Sequence, residues 1–199
     1  MPSAAAVARP LLLAGILASQ LVAADSAAAV GPEQSQSAAA AACHGAGSPA
    51  IRSNFIWVDQ LVQNGNTHSP TFAAETQELA ASDLVVFLEP VMHMPAELSA
   101  YLVFVSATSA CRFVRIRYDL HLSDPRAIAM IGHELRHALE IANHPEVVDN
   151  LSLSAMYKRY GRQVTDGDMY DSVEAVAAGR TILQELLNPV ALNADDADR

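Results

Sequence analysis

Apolar residues repeat at helical spacing in several stretches of the chain, each bounded by residues that start or stop a helix. The apolar positions of residues 51–63 share one face, and Asn64-Gly65 follows as a stop signal. Ser69-Pro70 supplies an N-cap and a first-turn proline for the next helix. The helices predicted in this way span residues 51–63, 69–80, 126–142, 145–160 and 172–187, and Ser123-Asp124-Pro125 marks the start of the third.

Between the second and third of these helices lie short runs of β-branched and aromatic residues, which predict strands. The runs are residues 84–88 (LVVFL), 101–105 (YLVFV) and 112–120 (RFVRIRYDL). In the last run Val114 and Ile116 alternate with charged residues, which predicts one packed face and one wet face. Helices and strands in this order predict an α+β fold.

The beginning of the chain has the composition of a targeting segment. Arg9 precedes an apolar run over residues 11–22, and small residues lead up to Asp25. This pattern is typical of a secretory signal peptide, here residues 1–24, with a buried N-terminal helix as the alternative. We therefore expect an exported protein, periplasmic or extracellular. The predicted organisation continues with a disordered Ala/Ser/Gln-rich leader (25–47), one folded domain (48–190) and an acidic tail (191–199).

The net charge of the chain limits the kinds of partner that it is expected to bind. The 199 residues include 22 Asp and Glu against 12 Lys and Arg, for a formal net charge of −10. Nucleic-acid binding depends on basic side chains that neutralise phosphates, so DNA and RNA are not expected partners. No stretch after the leader has the roughly 20 apolar residues of a membrane span. Cys43 and Cys111 give an exported chain an even cysteine count, which allows one disulfide; two free buried thiols are the alternative.

The chemistry lies in the third predicted helix, which contains His133-Glu134-Leu135-Arg136-His137, an H-E-x-x-H motif. Histidines at i and i+4 project from one helix face and can share a zinc ion, and the glutamate between them can act as a general base. Apolar neighbours on both sides of the motif indicate that this helix is largely buried. Buried polar groups need partners, which a metal ion supplies. Arg136 is expected either to face solvent or to pair with Glu140.

A zinc site of this kind needs a third ligand. The metzincin extension fails, because Glu140 stands where glycine is required and Asn143 where the third histidine is required. Gluzincins instead take a carboxylate from a later helix, where this chain offers Asp171 and Glu174. A helical wheel at about 100° per residue places Asp171 at the edge of the apolar face and Glu174 on the polar side. Residue type favours Glu174, since gluzincins use glutamate; we favour Asp171 and keep Glu174 as the alternative.

Several segments together resemble uncharacterised exported bacterial proteins of gluzincin type. They are IGHELRHALEIA, the hairpin-like CRFVRIRYDL before it, YDSVEAVAAGRTILQEL after it, and the SPTF and SDLVVFL segments nearer the N-terminus. The resemblance covers most of the chain after Ile51. It implies a small zincin-like domain whose active-site helix packs against a short antiparallel sheet. In these proteins the later helix begins with an acidic residue and a hydroxyl residue and contains a glycine, which Asp171, Ser172 and Gly179 match.

The resemblance implies a zinc-dependent hydrolase, most consistent with a metallopeptidase that acts on a peptide or protein. Zn²⁺ is then held by His133, His137 and Asp171 or Glu174, and Glu134 is the general base for the water that the ion activates. Oxyanion stabilisation has four candidates, Tyr157, Tyr160, Tyr170 and His144. A strand edge near residues 112–120 offers a place for an extended peptide. The alternative function is a non-catalytic, zinc-stabilised or protein-interaction domain on the same fold.

Overall fold

The computed structural model describes residues 40, 42–45, 48–95, 98–163 and 170–188. The predicted signal peptide (1–24), most of the leader (25–47) and the acidic tail (191–199) lie outside the described residues. Within the described ranges, no helix is both long enough and apolar enough to cross a membrane.

The described chain combines helices with a small sheet, which confirms the α+β class. The helices are α1 (Ile56–His68), α2 (Pro70–Ala80), α3 (Asp124–Ala142), α4 (Asn150–Tyr160) and α5 (Val173–Leu187). The strands are β1 (Ile51–Arg52), β2 (Leu84–Val91), β3 (Ala100–Ala107), β4 (Arg112–Asp119), β5 (Arg162–Gln163) and β6 (Tyr170–Asp171). The three strands predicted from the sequence are β2, β3 and β4.

The main sheet has the strand order β1-β2-β4-β3 and is mixed. Strand β2 is parallel to both β1 and β4, and only β3 and β4 are antiparallel. The expectation of an antiparallel sheet is therefore wrong for most of its pairings. After β2 the chain passes to the outer edge as β3 and returns as β4 between the two. Strand β4 alternates as predicted, with Val114, Ile116 and Tyr118 buried.

Two helix starts and one helix end differ from the sequence prediction. Helix α1 begins after β1 and continues through Asn64 and Gly65. Gly65 acts through packing rather than as a stop, because a Cβ there would lie 2.8 Å from Phe72 Cδ1 and 2.9 Å from Ile128 Cγ2. Helix α4 begins at Asn150 instead of Pro145. The residue before it, Asp149, forms a reciprocal capping box with Ser152, and this cap fixes the start of the helix.

The starts predicted for α2, α3 and α5 are confirmed. Ser69 caps α2 by accepting a hydrogen bond from the Phe72 N–H, and Pro70 is the first helical residue. Glu185 of α5 is half-buried against the start of α2. Its carboxylate accepts hydrogen bonds from the Ser69 hydroxyl and from both the N–H and hydroxyl of Thr71. A carboxylate at a helix N-terminus is favourable, so this contact joins α5 to α2.

Helix α3 lies between the sheet and the pair α2 and α5, with apolar residues buried on most of its sides. The fully buried residues include Ile128, Ile131, Leu135, Leu139 and Ile141. On the sheet side they meet the buried positions of β2 and β4, and on the other side they meet Phe72 and Ile182. The H-E-x-x-H motif therefore lies on the central helix of the fold.

A disulfide joins Cys43 to Cys111, with Cα atoms 5.0 Å apart. It ties the described residues before β1 to the start of β4. The two cysteines are 68 positions apart, so the cross-link removes considerable freedom from the unfolded chain.

We predict that replacing both cysteines by serine lowers the free energy of unfolding by about 2–4 kcal/mol, because the unfolded chain regains its loop entropy. Chemical denaturation under non-reducing conditions measures the change. Addition of a reductant should destabilise the wild-type chain and leave the double variant unaffected. Equal stability of the two oxidised proteins would contradict the structural role of the bridge.

Glu75 on α2 is a buried carboxyl that forms no salt bridge with the described residues. It is 5% exposed, and its Oε2 atom has no hydrogen-bond partner among the described residues. Burial raises the pKa of Glu75 to about 8; Arg136 on α3 opposes the rise, and Glu78 and Glu185 add to it. The folded chain therefore keeps a proton on Glu75 that the unfolded chain releases near its ordinary pKa.

This difference predicts that the chain loses stability as pH rises from about 4.5 to about 8, because the folded state binds more protons than the unfolded state over that window. Glu75→Gln removes the titrating proton and should flatten this part of the profile. Urea denaturation of both proteins at pH 5 and pH 8 tests the prediction. The free energy of unfolding of the variant, relative to that of the wild type, should be higher at pH 8 than at pH 5. An equal difference at both pH values would refute the prediction.

Candidate metal centre

The H-E-x-x-H motif faces a cavity between α3, β3 and α4. His133 and His137 are one turn apart on α3, and their ring centroids lie 5.1 Å from each other. Glu134 lies beside them, and all three side chains line the same cavity of about 640 Å³. The opposite walls come from β3 and from α4. These walls include Ala100, Leu102, Val103, Asn150, Leu153, Ser154 and Tyr157.

The structure brings Asp171, and not Glu174, to the two imidazoles. Asp171 Oδ1 lies 3.4 Å from His133 Nε2 and 3.5 Å from His137 Nε2. Asp171 ends β6 and precedes Ser172, whose hydroxyl caps α5 by accepting the Ala175 N–H. Asp171 is therefore not the N-cap of this helix. Glu174 is exposed and lines a different cleft, together with Glu75 and Arg136.

The three side chains fit a metal ion. Their donor atoms all lie within 4.8 Å of one another. Ligand atoms about 2.0–2.1 Å from a tetrahedral ion lie roughly 3.4 Å apart, and the two distances from Asp171 to the histidines are 3.4 and 3.5 Å. His133, His137 and Asp171 could thus hold one metal ion.

Behind His137, a network of hydrogen bonds fixes the orientation of the ring. His137 Nδ1 lies 2.9 Å from Glu140 Oε2, and the Tyr157 hydroxyl donates to the same carboxylate oxygen at 3.0 Å. The Ser172 hydroxyl donates to the other oxygen of Glu140. Because Nδ1 is turned towards Glu140, Nε2 is the ring nitrogen that faces Asp171 and could bind an ion. A carboxylate behind a ligating histidine sets its tautomer and increases its basicity.

Charges in the site compensate one another. Burial tends to lower the pKa of His137, but hydrogen bonds to Asp171 and Glu140 outweigh it and raise the pKa to about 9. Burial and the neighbouring His137 lower the pKa of His133. Burial tends to raise the pKa of Asp171, yet the two histidines hold it below its ordinary value. Without an ion, the carboxylates and imidazoles satisfy one another, as buried charges must.

Glu134 occupies the least polar part of the site. It is 5% exposed, and burial raises its pKa to about 7, while an interaction with the Leu102 backbone acts in the opposite direction. Leu102 belongs to β3, so this contact joins α3 to the edge of the sheet. A carboxyl with a pKa near neutrality, close to two imidazoles, is suited to accept and return a proton.

Of the four candidates for oxyanion stabilisation, two line the cavity and two lie away from it. Tyr157 and Tyr170 line the cavity and stack on each other, with ring centroids 6.2 Å apart. Tyr157 is engaged with Glu140, so its hydroxyl supports His137. Tyr160 and His144 lie away from the cavity and contact each other, at 5.2 Å between ring centroids.

The expected pairing of Arg136 with Glu140 is wrong, and its exposure to solvent is only partial. It does not pair with Glu140, which is occupied by His137, Tyr157 and Ser172. Arg136 is also not fully solvent-facing. It lines the cleft on the α2 side of α3, where its Nε atom is buried. Arg136 and Glu140 are four residues apart, a spacing at which side chains on a helix can pair. Glu140 is also three residues after His137, and it is His137 that it contacts.

The expected position of the free strand edge was also wrong. Strand β4, over residues 112–119, lies between β2 and β3, and both of its edges are paired. In the described part of the sheet, the edge next to the metal centre belongs to β3. Ala100 to Val103 of this strand line the cavity with the motif residues.

Comparisons of the chain with family models, curated proteins and solved structures found no match.

We predict that Asp171→Ala weakens metal binding by at least about 10–100-fold, the loss that removal of a mere supporting residue causes at metal sites. Glu174→Ala is the matched control, because it removes an exposed carboxylate three residues away. Competition with a chelator, with Zn²⁺ as the probe, gives both affinities. A larger loss for Glu174→Ala would show that the ligand assignment is wrong.

Proposed function

We propose that this chain is an exported zinc-dependent hydrolase of gluzincin type, most consistent with a metallopeptidase. One observation carries the proposal. The Asp171 carboxylate, which comes two residues before α5, lies 3.4–3.5 Å from the Nε2 atoms of both motif histidines, and Glu134 lines the same cavity. Export rests on the predicted signal peptide, residues 1–24.

The donor set favours zinc. Two imidazoles and one carboxylate, with a further position open to the cavity, are typical ligands of catalytic zinc ions. The set contains no thiolate or thioether, and it has too few oxygen ligands for Ca²⁺ or Mg²⁺. The carboxylate behind His137 is a further feature of such sites.

The chain's own residues have distinct parts in the proposed reaction. A bound zinc ion supplies Lewis-acid polarisation and makes water acidic enough to react near neutral pH. His133, His137 and Asp171 hold the ion, and Glu140 with Tyr157 keeps His137 in the ligating tautomer. Glu134 takes a proton from the attacking water and passes it to the leaving amine. The apolar surroundings of Glu134 keep its proton affinity high enough for this exchange.

The edge of β3 supports a peptide as the substrate. An extended peptide placed beside β3 would add a strand to the sheet and cross the cavity above His133 and Glu134. Main-chain hydrogen bonds to the strand would orient its carbonyl groups without reading the side chains. A small domain can grip a peptide in this way without a separate binding domain.

One observation favours the alternative, a non-catalytic domain stabilised by zinc. The Glu134 carboxyl group interacts with the Leu102 backbone, so it contributes to holding α3 against β3 whether or not it transfers protons. The two functions differ in what happens when only the proton transfer is removed.

We predict that Glu134→Gln retains about one zinc ion per chain but no longer cleaves peptides, because the amide keeps its place beside Leu102 and cannot accept the proton. His137→Ala should lose the metal as well as the activity. Metal analysis of the purified proteins gives the first result, and mass spectrometry of a mixed peptide pool incubated with each zinc-loaded protein gives the second. Glu174→Gln is the control, with both properties expected at the wild-type level.

Cleavage of the same bonds at the wild-type rate by Glu134→Gln would refute the catalytic role. A zinc-loaded wild type that cleaves nothing in the pool, and that loses stability when the metal is removed, would support the non-catalytic domain.

A further inference from the structure

The backbone of β3 alternates between its partner strand and the free edge. The Asp119 N–H donates to the Ser99 carbonyl at 2.9 Å, so the odd-numbered residues of this segment point their N–H and C=O groups towards β4. The even-numbered residues Ala100, Leu102 and Phe104 therefore point theirs away from the sheet. These groups are the ones that an added strand would use.

Side chains of the chain itself already occupy two of these positions. The Leu102 backbone interacts with the Glu134 carboxyl group, and the Asn150 Nδ2 group donates to the Phe104 carbonyl at 3.3 Å. Next to Phe104 the pairing of β3 with β4 is irregular, because the register shifts between Phe104 and Ser106. The regular part of the edge thus ends where Asn150 sits.

Asn150 is well placed to hold that position. It is the first residue of α4, directly after the Asp149 cap, and it lines the same cavity as the motif residues. Its side-chain amide makes the hydrogen bond that the N–H of an incoming strand would otherwise make. A peptide beside β3 can displace it only by giving up an existing hydrogen bond that is partly shielded from water.

We infer that Asn150 determines substrate length by closing the β3 edge beyond Leu102, so that the enzyme acts near one end of a short, extended peptide. The inference rests on the proposed peptidase function. Glu134 contacts Leu102, which places the reacting bond beside that residue. Phe104 is two positions further along the strand, about 7 Å away at roughly 3.3 Å per residue. The peptide therefore has room for about two residues on that side of the cleaved bond.

A mixed peptide pool tests the inference through the positions of the cut bonds. The zinc-loaded wild type should cut about two residues from one chain end, the same end in every peptide. Asn150→Ala should spread the cuts inward and raise cleavage of bonds further from that end by about three- to tenfold, the effect of one main-chain hydrogen bond. Asn150→Asp removes the same donor at nearly equal size and should act in the same direction. Leu151→Ala is the control, since this neighbouring residue is 79% exposed.

Peptides that the zinc-loaded Glu134→Gln chain retains but does not cut provide a second readout, which does not depend on catalysis. Adding Asn150→Ala to this chain should increase the retention of long peptides relative to short ones, and adding Leu151→Ala should not. If the wild type cuts peptides far from both ends, or if the Asn150 variants leave the cut positions and the retained lengths unchanged, this inference is wrong and the peptidase proposal stands. If the zinc-loaded chain neither cuts nor retains any peptide, the peptidase proposal is wrong and the inference falls with it.

Discussion

The metal centre depends on how closely helices α3 and α5 approach each other. Gly179 of α5 lies directly over α3, and a Cβ at this position would be 3.1 Å from His133 Cβ and 3.2 Å from the Ala129 carbonyl oxygen. On the other helix, Gly132 leaves the space that the Ile182 side chain fills. This contact sets where α5 begins, and Asp171 is two residues before its first turn. A larger residue at Gly179 would move the third ligand away from the histidines.

The other end of α3 is held by a single buried side chain. Arg112, at the start of β4, makes two hydrogen bonds with the Asp83 carboxylate, and its guanidinium also donates to main-chain carbonyls at and after the end of α3. Arg112 adds side-chain hydrogen bonds to these carbonyls and places a positive charge at the C-terminal end of α3, where it is favourable. The disulfide at Cys111 reinforces the same corner. Helix α3 is thus fixed to the sheet at one end and to α5 near the motif, and a three-ligand site requires that precision.

Local patterns in the sequence predicted the elements of this fold, and non-local pairings account for what they did not predict. The alternation in β4, the cap at Ser69 and the motif helix depend on neighbouring residues, so they could be predicted from the chain alone. The place of β4 between β2 and β3 depends on which strands meet, and the packing role of Gly65 depends on Phe72 and Ile128 from other helices. In the sequence, Glu140 stood out only as a departure from the metzincin pattern and as a possible partner of Arg136. Its spacing of three residues from His137 was the available signal for its supporting position.

The edge of β3 must be protected from pairing with other chains and, in the proposed function, must also accept a peptide; these two requirements usually conflict. An exposed strand edge invites pairing with other chains, and proteins limit that hazard by covering the edge or placing polar groups against it. Here Glu134 and Asn150 satisfy part of the edge from α3 and α4, and one of these two residues also belongs to the proposed catalytic machinery. Among the described residues, the backbone groups left for a visiting strand beside the metal centre are those of Ala100 and the carbonyl of Leu102. Protection of the edge and selection of the substrate would then arise from the same two side chains, because a peptide can pair only where the reacting bond meets Glu134.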